Sequence, residues 1–173
     1  MNRMLRYFAE IPARLTGLLA NTAGMCSSFK SEILMGVHAL GPGAGIPAHT
    51  AVTADVVKAA LFLASASRGP ADTTYNTTGE LAGTGSYTQG GQTVTMASAP
   101  STSGTTGIFT PSANLTWTGL TSSGAFDTCV LYNSSQGNKE ISVHTFSSQS
   151  IAAGNFTLTM PTNDASNALL RIA

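Results

Sequence analysis

The feature that most constrains the fold of this chain is the alternation of apolar and polar side chains in its C-terminal part. The stretch NFTLTM, residues 155–160, has the clearest alternation, because Phe156, Leu158 and Met160 are each separated by a polar residue. Successive side chains of a β-strand point to opposite faces, so a period of two buries one set and exposes the other. Residues 155–160 are therefore predicted to form a half-buried β-strand.

Other segments carry strand patterns of the same kind. They are residues 93–96, 115–117, 126–132, 140–146 and 169–172. The Gly-containing stretch 133–139 lies between two of these segments and predicts a hairpin loop. The run DVVKAALFLAS at 55–65 is almost continuously apolar. It predicts a buried strand, with a helix as the competing interpretation.

These short strands, separated by turn sequences, predict a mainly β fold. The expected architecture is an antiparallel β-sandwich or barrel of jelly-roll type. A short helix is predicted near residues 28–38, and an exposed irregular loop is predicted at 97–107. A chain of this length is one ordinary domain, and we expect a single β domain over residues 25–173.

The first 24 residues have a different pattern. Wound as a helix at about 100° per residue, they place large apolar side chains in one sector and charged side chains opposite. The apolar set is Met1, Met4, Leu5, Phe8, Ile11, Leu15, Leu18 and Leu19, and the charged set is Arg3, Arg6, Glu10 and Arg14. Pro12 predicts a kink or two short helices. We expect an amphipathic docking or oligomerisation arm over residues 1–24; a signal peptide, a membrane-surface helix and a true start at Met25 are the alternatives.

Low charge limits the partners of the chain. Eight Lys or Arg balance eight Asp or Glu, while 19 Ser and 24 Thr make the sequence rich in hydroxyl groups. Without a basic field, bulk nucleic-acid binding is not expected. The longest uncharged apolar window, near residues 59–64, is far shorter than the roughly 18 to 20 residues that cross a bilayer. We therefore predict neither nucleic acid nor membrane as a partner.

The stretch GELAGTGSYTQGGQTVT, residues 79–95, raises the question of a glycine-rich ligand loop. A phosphate loop requires a Lys, but no Lys or Arg occurs between Arg68 and Lys139. A dinucleotide site requires a helix after its glycines, whereas a strand-like alternation follows Gly85. We therefore predict structural turn glycines with positive φ. They are Gly83, Gly85, Gly90 and Gly91.

The sequence contains few candidates for catalytic or metal-ligating residues. Cys26 and Cys129 lack metal-ligand spacing and are predicted to be reduced. The histidines, His38, His49 and His144, form no zinc motif. Cys129 and His144 lie on facing strands of the predicted hairpin and could be neighbours, but a strand Cys is usually a small core residue. Glu80 and Asp127 are interpreted as turn or strand-edge residues. We predict no catalytic, cofactor or metal site and no enzyme activity.

Six stretches occur in a characteristic order along the chain. They are TTYNTTGELAGTGSYTQGGQTVT, NLTW, FDTCVLYNSS, NKEISVHTF, NFTLTMP and ALLRI. Together they resemble a widespread group of tailed-bacteriophage virion proteins, whose members carry a Y-x(4,5)-E-x-x-G-x-G-Y-x-x-G-G block, a Trp before the central strand, an A-L-I-Y-N-like strand and a closing A-L-I-R. The resemblance covers about residues 29–173. Three features depart from it: Ser86 is inserted before Tyr87, Cys129 lies in the Ala-rich strand, and two serines follow Phe146 where the group often has F-G.

The resemblance implies a structural component of a phage particle, located in the virion and made in the host cytoplasm. A capsid decoration (cement) protein is the expected kind, with the major capsid protein as its partner. The expected capsid or oligomer contact is formed by Met4, Leu5, Phe8, Ile11, Leu15, Leu18 and Leu19. A homo-oligomer is expected, with a trimer favoured because it suits local threefold axes of a lattice. The alternative is a tail- or fibre-associated protein that contacts host-surface glycan through Tyr75, Tyr87, Trp117 and Tyr132.

Overall fold

The computed structural model of the protein describes residues 34–36, 55–82 and 85–173. Nine β-strands lie within these residues. In chain order they are β1 (Val57–Leu63), β2 (Gln92–Thr93), β3 (Ser101–Ser103), β4 (Thr106–Phe109), β5 (Leu115–Leu120), β6 (Phe126–Asn133), β7 (Lys139–Gln149), β8 (Gly154–Leu158) and β9 (Leu170–Ile172).

The described strands form three sheets, and every strand pairing in them is antiparallel. The largest sheet has the order β2-β1-β6-β7, the second has the order β3-β4-β9, and the third pairs β5 with β8. The prediction of a mainly β, antiparallel fold is therefore confirmed.

Strand β1 explains how a nearly continuous apolar run forms a strand rather than a helix. Ala59 and Leu61 belong to one hydrophobic cluster, Ala60 and Phe62 belong to another, and all four are completely buried. Strands β2 and β6 pair with the two edges of β1. A strand covered on both faces presents no face to water, so its sequence does not alternate. The strand interpretation of residues 55–65 is confirmed.

The larger hydrophobic cluster joins two of the sheets. The four-stranded sheet contributes Leu61, Phe126 and Leu131, and the β5–β8 pair contributes Trp117 and Phe156. The rings of Phe126 and Phe156 meet nearly at right angles, with centroids 5.0 Å apart. Burying these large apolar side chains is the main term that stabilises the contact between the sheets.

The opposite face of the four-stranded sheet carries the smaller cluster. It consists of Ala60, Phe62, Val130 and Tyr132. Ala66 and Tyr75 pack against it from the segment that follows β1. In the same segment, the guanidinium of Arg68 lies 4.7 Å from the ring centroid of Phe62 and forms an ion pair with Glu140 of β7. Burial raises the pKa of Glu140, and the Arg68 charge opposes that shift. The segment is thus tied to the sheet by packing and by a charge pair.

The hairpin between β6 and β7 is the central connection of the largest sheet. Its Cα pairs run from Asn133↔Lys139 to Phe126↔Gln149, with two register shifts between them. Gly137 and Asn138 have φ values of +66° and +60°, the left-handed conformation that tight turns favour in Gly and Asn. The predicted hairpin loop at 133–139 is confirmed.

The prediction of an irregular loop over residues 97–107 is wrong. Strands β3 and β4 form a hairpin there, and Ser101 pairs with Ile108 across it. Gly104 adopts a φ of +58° at the turn, and Ile108 is buried and therefore anchors the hairpin. The residues of β3 face mostly solvent, so the sequence carried no apolar alternation to reveal the strand.

Two predicted features lie largely or wholly outside the described residues. The arm over 1–24 is one, and the helix near 28–38 is the other, because only residues 34–36 of it are described. In the described ranges, no helix is long and apolar enough to span a bilayer. The boundaries of the single β domain, 25–173, stay a prediction.

Candidate functional site

The most unusual polar feature of the described structure is the buried carboxylate of Glu80, which is 4% exposed. Its Oε2 accepts a hydrogen bond of 2.5 Å from the Tyr75 hydroxyl. Its Oε1 accepts bonds of 2.7 Å from both the Tyr87 hydroxyl and the Gly90 backbone N–H. A buried charge is stable only when its hydrogen-bonding capacity is satisfied, and three donors meet that requirement here.

The tyrosines connect this carboxylate to the largest sheet. The Tyr87 oxygen accepts a bond of 2.9 Å from the Leu61 N–H in β1. The Tyr132 hydroxyl, on β6, donates to the Gly90 carbonyl at 2.7 Å, and its ring stacks on Tyr75 with centroids 4.0 Å apart. Burial, followed by the hydrogen bond to Glu80, raises the pKa of Tyr75 and of Tyr87. Both phenols therefore stay protonated and remain donors at neutral pH. We call Tyr75, Glu80, Tyr87, Gly90 and Tyr132 the Glu80 cluster.

The described glycines of the same stretch adopt turn conformations, and one of them, Gly91, lies against β1. Gly85, Gly90 and Gly91 have φ values of +63°, +92° and +67°, which is the left-handed conformation expected of turn glycines. A Cβ atom on Gly91 would lie 1.9 Å from the Ala59 carbonyl oxygen, so no other residue fits without moving the backbone. Gly83 lies outside the described residues.

The Glu80 cluster is suited to hold a loop in place rather than to carry out chemistry. The three hydrogen bonds that its carboxylate accepts all come from protein groups, and the side chain is almost fully buried. The interpretation of Glu80 as a turn or strand-edge residue did not include this role. The signal that could have revealed it is a lone carboxylate between Tyr75 and Tyr87 in a chain with few acidic residues.

The aromatic residues expected to stack on a sugar do not form an exposed face. Tyr87, Trp117 and Tyr132 are 3%, 6% and 3% exposed, and Tyr75 is half-buried against Tyr132. Tyr87 and Trp117 belong to the larger cluster, whereas Tyr132 belongs to the smaller one. The prediction of a glycan-stacking surface built from these four residues is therefore wrong, because their rings are used in packing.

Cys129 and His144 are neighbours, as the hairpin pattern predicted. They are directly paired across β6 and β7, and both line an apolar cavity of about 100 Å³. Burial raises the pKa of the Cys129 thiol to about 12 and lowers the pKa of the His144 imidazole. At neutral pH the sulfur is therefore protonated and the ring neutral, the opposite of the thiolate–imidazolium pair that nucleophilic catalysis uses. The geometry brings the two groups together without activating the sulfur.

Replacing Cys129 with Ser or His144 with Ala is expected to lower the free energy of unfolding by roughly 1 to 2 kcal/mol and to remove no hydrolytic or transfer activity. The reason is that neither group is activated, while both side chains line an apolar cavity. Denaturant unfolding followed by intrinsic fluorescence measures the change in the free energy of unfolding. A hydrolytic or transfer activity lost in either variant would contradict this expectation.

Among the remaining sequence candidates, Asp127 is the one that lies within the described residues. Asp127 accepts a hydrogen bond from the neighbouring Thr128 hydroxyl at 2.8 Å. In the part of the chain that the structure describes, no group of three or more His, Cys, Asp or Glu could hold a metal ion. Cys26, His38 and His49 lie outside the described residues. The same holds for the expected contact residues Met4, Leu5, Phe8, Ile11, Leu15, Leu18 and Leu19.

The described residues form a mainly β protein, and its Glu80 cluster holds a loop on the largest sheet. Comparison with known proteins adds no narrower assignment. No protein-family model, no curated protein and no solved structure matches the chain.

Proposed function

We propose that the protein is a structural component of a tailed-bacteriophage particle, a capsid decoration protein that binds and stabilises the capsid lattice. The proposal starts from the six ordered stretches that resemble phage virion proteins. What each contributes to the structure supports a structural role over an enzymatic one.

The observation that carries the proposal is the set of contacts made by residues 73–95, the most specific of those stretches. Its Tyr, Glu and Gly positions supply four of the five members of the Glu80 cluster. Their hydrogen bonds hold the glycine-rich loop on β1 and β6. A motif whose described Tyr, Glu and Gly residues hold a loop on the sheet supports a structural role and gives no support to catalysis.

A β-sandwich with jelly-roll-like character is the finer architecture we propose. Its support is the larger cluster, to which the four-stranded sheet and the β5–β8 pair both contribute. Two sheets that face each other across one core are the arrangement of sandwich proteins. Small sandwiches of this kind leave their loops and edges available for contacts with a lattice.

The proposed contact with the major capsid protein, or with other copies of this chain, is the amphipathic arm over residues 1–24. Its large apolar side chains would form an unusually extended patch if they faced water. Burying most of them could supply on the order of 10 kcal/mol before ordering terms are subtracted. A trimer suits local threefold axes of a capsid. The zero net charge supports a protein partner over nucleic acid.

A copy-number measurement tests the location. Purified particles are separated on a stained gel, and the band of this protein is compared with that of the major capsid protein. A decoration protein is expected on the order of hundreds of copies per particle, because it follows the capsid lattice. A handful of copies would refute the capsid assignment and favour the tail or fibre.

Placing Asp at Phe8 and Leu15 together is expected to weaken capsid attachment or oligomerisation at least about tenfold, because two charges would enter the apolar stripe. The matched control is Ala13→Asp with Ala20→Asp, which adds the same charge on the opposite side of the helical pattern. Co-sedimentation with particles lacking the protein, together with the mass in solution, measures both properties. Equal attachment by the two double variants would refute the role of the arm.

A further inference from the structure

Three side chains with soft or borderline metal donors line one cavity of the described structure. The cavity has a volume of about 100 Å³ and lies beside the hairpin of β6 and β7. Its lining residues are Leu115, Cys129, Leu131, His144, Leu158, Thr159, Met160 and Leu169. A thiol, an imidazole and a thioether therefore share a wall that is otherwise mostly leucine.

The thiol and the imidazole are held opposite each other by the sheet. Cys129 and His144 are direct partners across β6 and β7, and directly opposed side chains have Cβ atoms about 4.5 to 5.5 Å apart. That separation allows both side chains to reach one ion between them. Cys129 is only 1% exposed.

The surroundings of His144 favour one ring nitrogen as a ligand. Its Nε2 lies 2.9 Å from the Ser142 hydroxyl oxygen. When Nε2 donates its proton to Ser142, the Nδ1 atom keeps a free lone pair. Metal-binding histidines commonly have this arrangement, in which the second ring nitrogen donates to a neighbour and so fixes the tautomer.

Met160 supplies the third donor from the end of β8. Its backbone N–H donates to the Asn114 side-chain oxygen at 2.9 Å, which holds the residue at the cavity. Its unbranched thioether can adjust its position more easily than any other side chain in the wall.

We propose that this cavity binds one soft monovalent metal ion, such as Cu⁺, through Cys129 Sγ, His144 Nδ1 and Met160 Sδ. Thiolate and thioether ligands select soft ions of this kind. Zn²⁺ is disfavoured, because its structural sites use four Cys or His ligands and only two are present here. Binding replaces the thiol proton by the metal, so one proton is released for each ion bound. The inference does not depend on the proposed virion function.

Silver provides the test, because Ag⁺ is a soft monovalent ion that does not change oxidation state under these conditions. The full-length Cys26→Ser protein, which keeps Cys129 as its single thiol, is titrated with silver nitrate in chloride-free buffer. Calorimetry and a pH electrode record binding and proton release together. One ion bound and one proton released per chain are the expected result.

Variants in the Cys26→Ser background separate a three-ligand site from capture by a lone thiol. Cys129→Ser is expected to abolish proton-coupled binding, and His144→Ala, Ser142→Ala and Met160→Leu to weaken it at least about tenfold. Met96→Leu is the matched control, because Met96 also packs against the larger cluster but does not line the cavity. The proposal is overturned by an absence of uptake, by binding that survives Cys129→Ser, or by equal affinities of the Met160→Leu and Met96→Leu proteins. Should His144→Ala fail to fold, Ser142→Ala still tests the histidine.

Discussion

Glu80→Ala is expected to lower the free energy of unfolding by roughly 3 to 5 kcal/mol, because three donors lose a charged acceptor at once. The hydroxyls of Tyr75 and Tyr87 and the N–H of Gly90 would be left unsatisfied in a covered site. Glu80→Gln keeps the volume but exchanges one acceptor for a donor, so a smaller loss of about 1 to 3 kcal/mol is expected. Urea unfolding monitored by circular dichroism measures both.

Asp127→Ala serves as the control for removal of a carboxylate. Among the described residues, its oxygen accepts only from the adjacent Thr128 hydroxyl, so the expected loss is below about 1 kcal/mol. A double-mutant cycle of Glu80→Gln with Tyr75→Phe should also give a coupling energy of roughly 1 kcal/mol or more, because the two side chains share a hydrogen bond. If Glu80→Ala and Asp127→Ala were equally stable, the Glu80 cluster would not be a stabilising element.

The strands that could be predicted well are those in which burial alternates along the chain together with side-chain polarity. Strand β8 spans Gly154–Leu158, inside which Phe156 is buried and Asn155 and Thr157 are exposed, so the alternation in the letters is the alternation in space. The pairing of Cys129 with His144 depends in addition on the register shift between Leu131 and Tyr132, because without that shift Val143 would lie opposite Cys129. Local alternation was therefore sufficient for β8 but could give the two residues of the hairpin only as possible neighbours.

The β3–β4 hairpin was missed because its stability comes from elsewhere in the chain. Strand β4 pairs with β9 at the C-terminus, where Phe109 is opposite Leu170. The letters STSGTTG contain no apolar pattern of their own. A polar strand that is fixed by a distant partner carries no periodic signal, since its burial depends on the completed sheet.

The hydrogen bonds to Glu80 itself span only 5 to 10 positions, but the bonds that hold the Glu80 cluster on the sheet are long-range, and its role was missed for that reason. The bond from Leu61 to Tyr87 joins residues 26 positions apart, and the bond from Tyr132 to Gly90 joins residues 42 positions apart. No local rule predicts such contacts.

The assignment of the aromatic residues to a sugar-binding face could have been avoided from the sequence alone. Trp117 shares a strand face with Leu115, and both are buried, so alternation alone favours packing of the indole over exposure.

Gly91→Ala is expected to destabilise the protein by roughly 4 kcal/mol or more, or to prevent folding, because an added Cβ has no space at this position. The new atom would lie 1.9 Å from the Ala59 carbonyl oxygen and 2.8 Å from the Ala60 Cα atom, and both belong to the backbone of β1. Relief would require β1 and the start of β2 to separate, which breaks the pairing of Ala59 with Gln92. The Gly90 N–H and carbonyl, which belong to the Glu80 cluster, would move with them.

Gly137→Ala separates this steric effect from the strain of a positive φ. Gly137 has a φ of +66°, within a degree of the +67° of Gly91, but a Cβ there would meet nothing within 4 Å. Its expected loss is therefore only about 1 kcal/mol. Gly85→Ala should fall between the two, because its Cβ would lie 2.9 Å from the Gly119 oxygen. Soluble yield and urea midpoints of the three variants measure the order. Equal losses at Gly91 and Gly137 would mean that backbone conformation, and not the close approach to β1, explains the glycine at position 91.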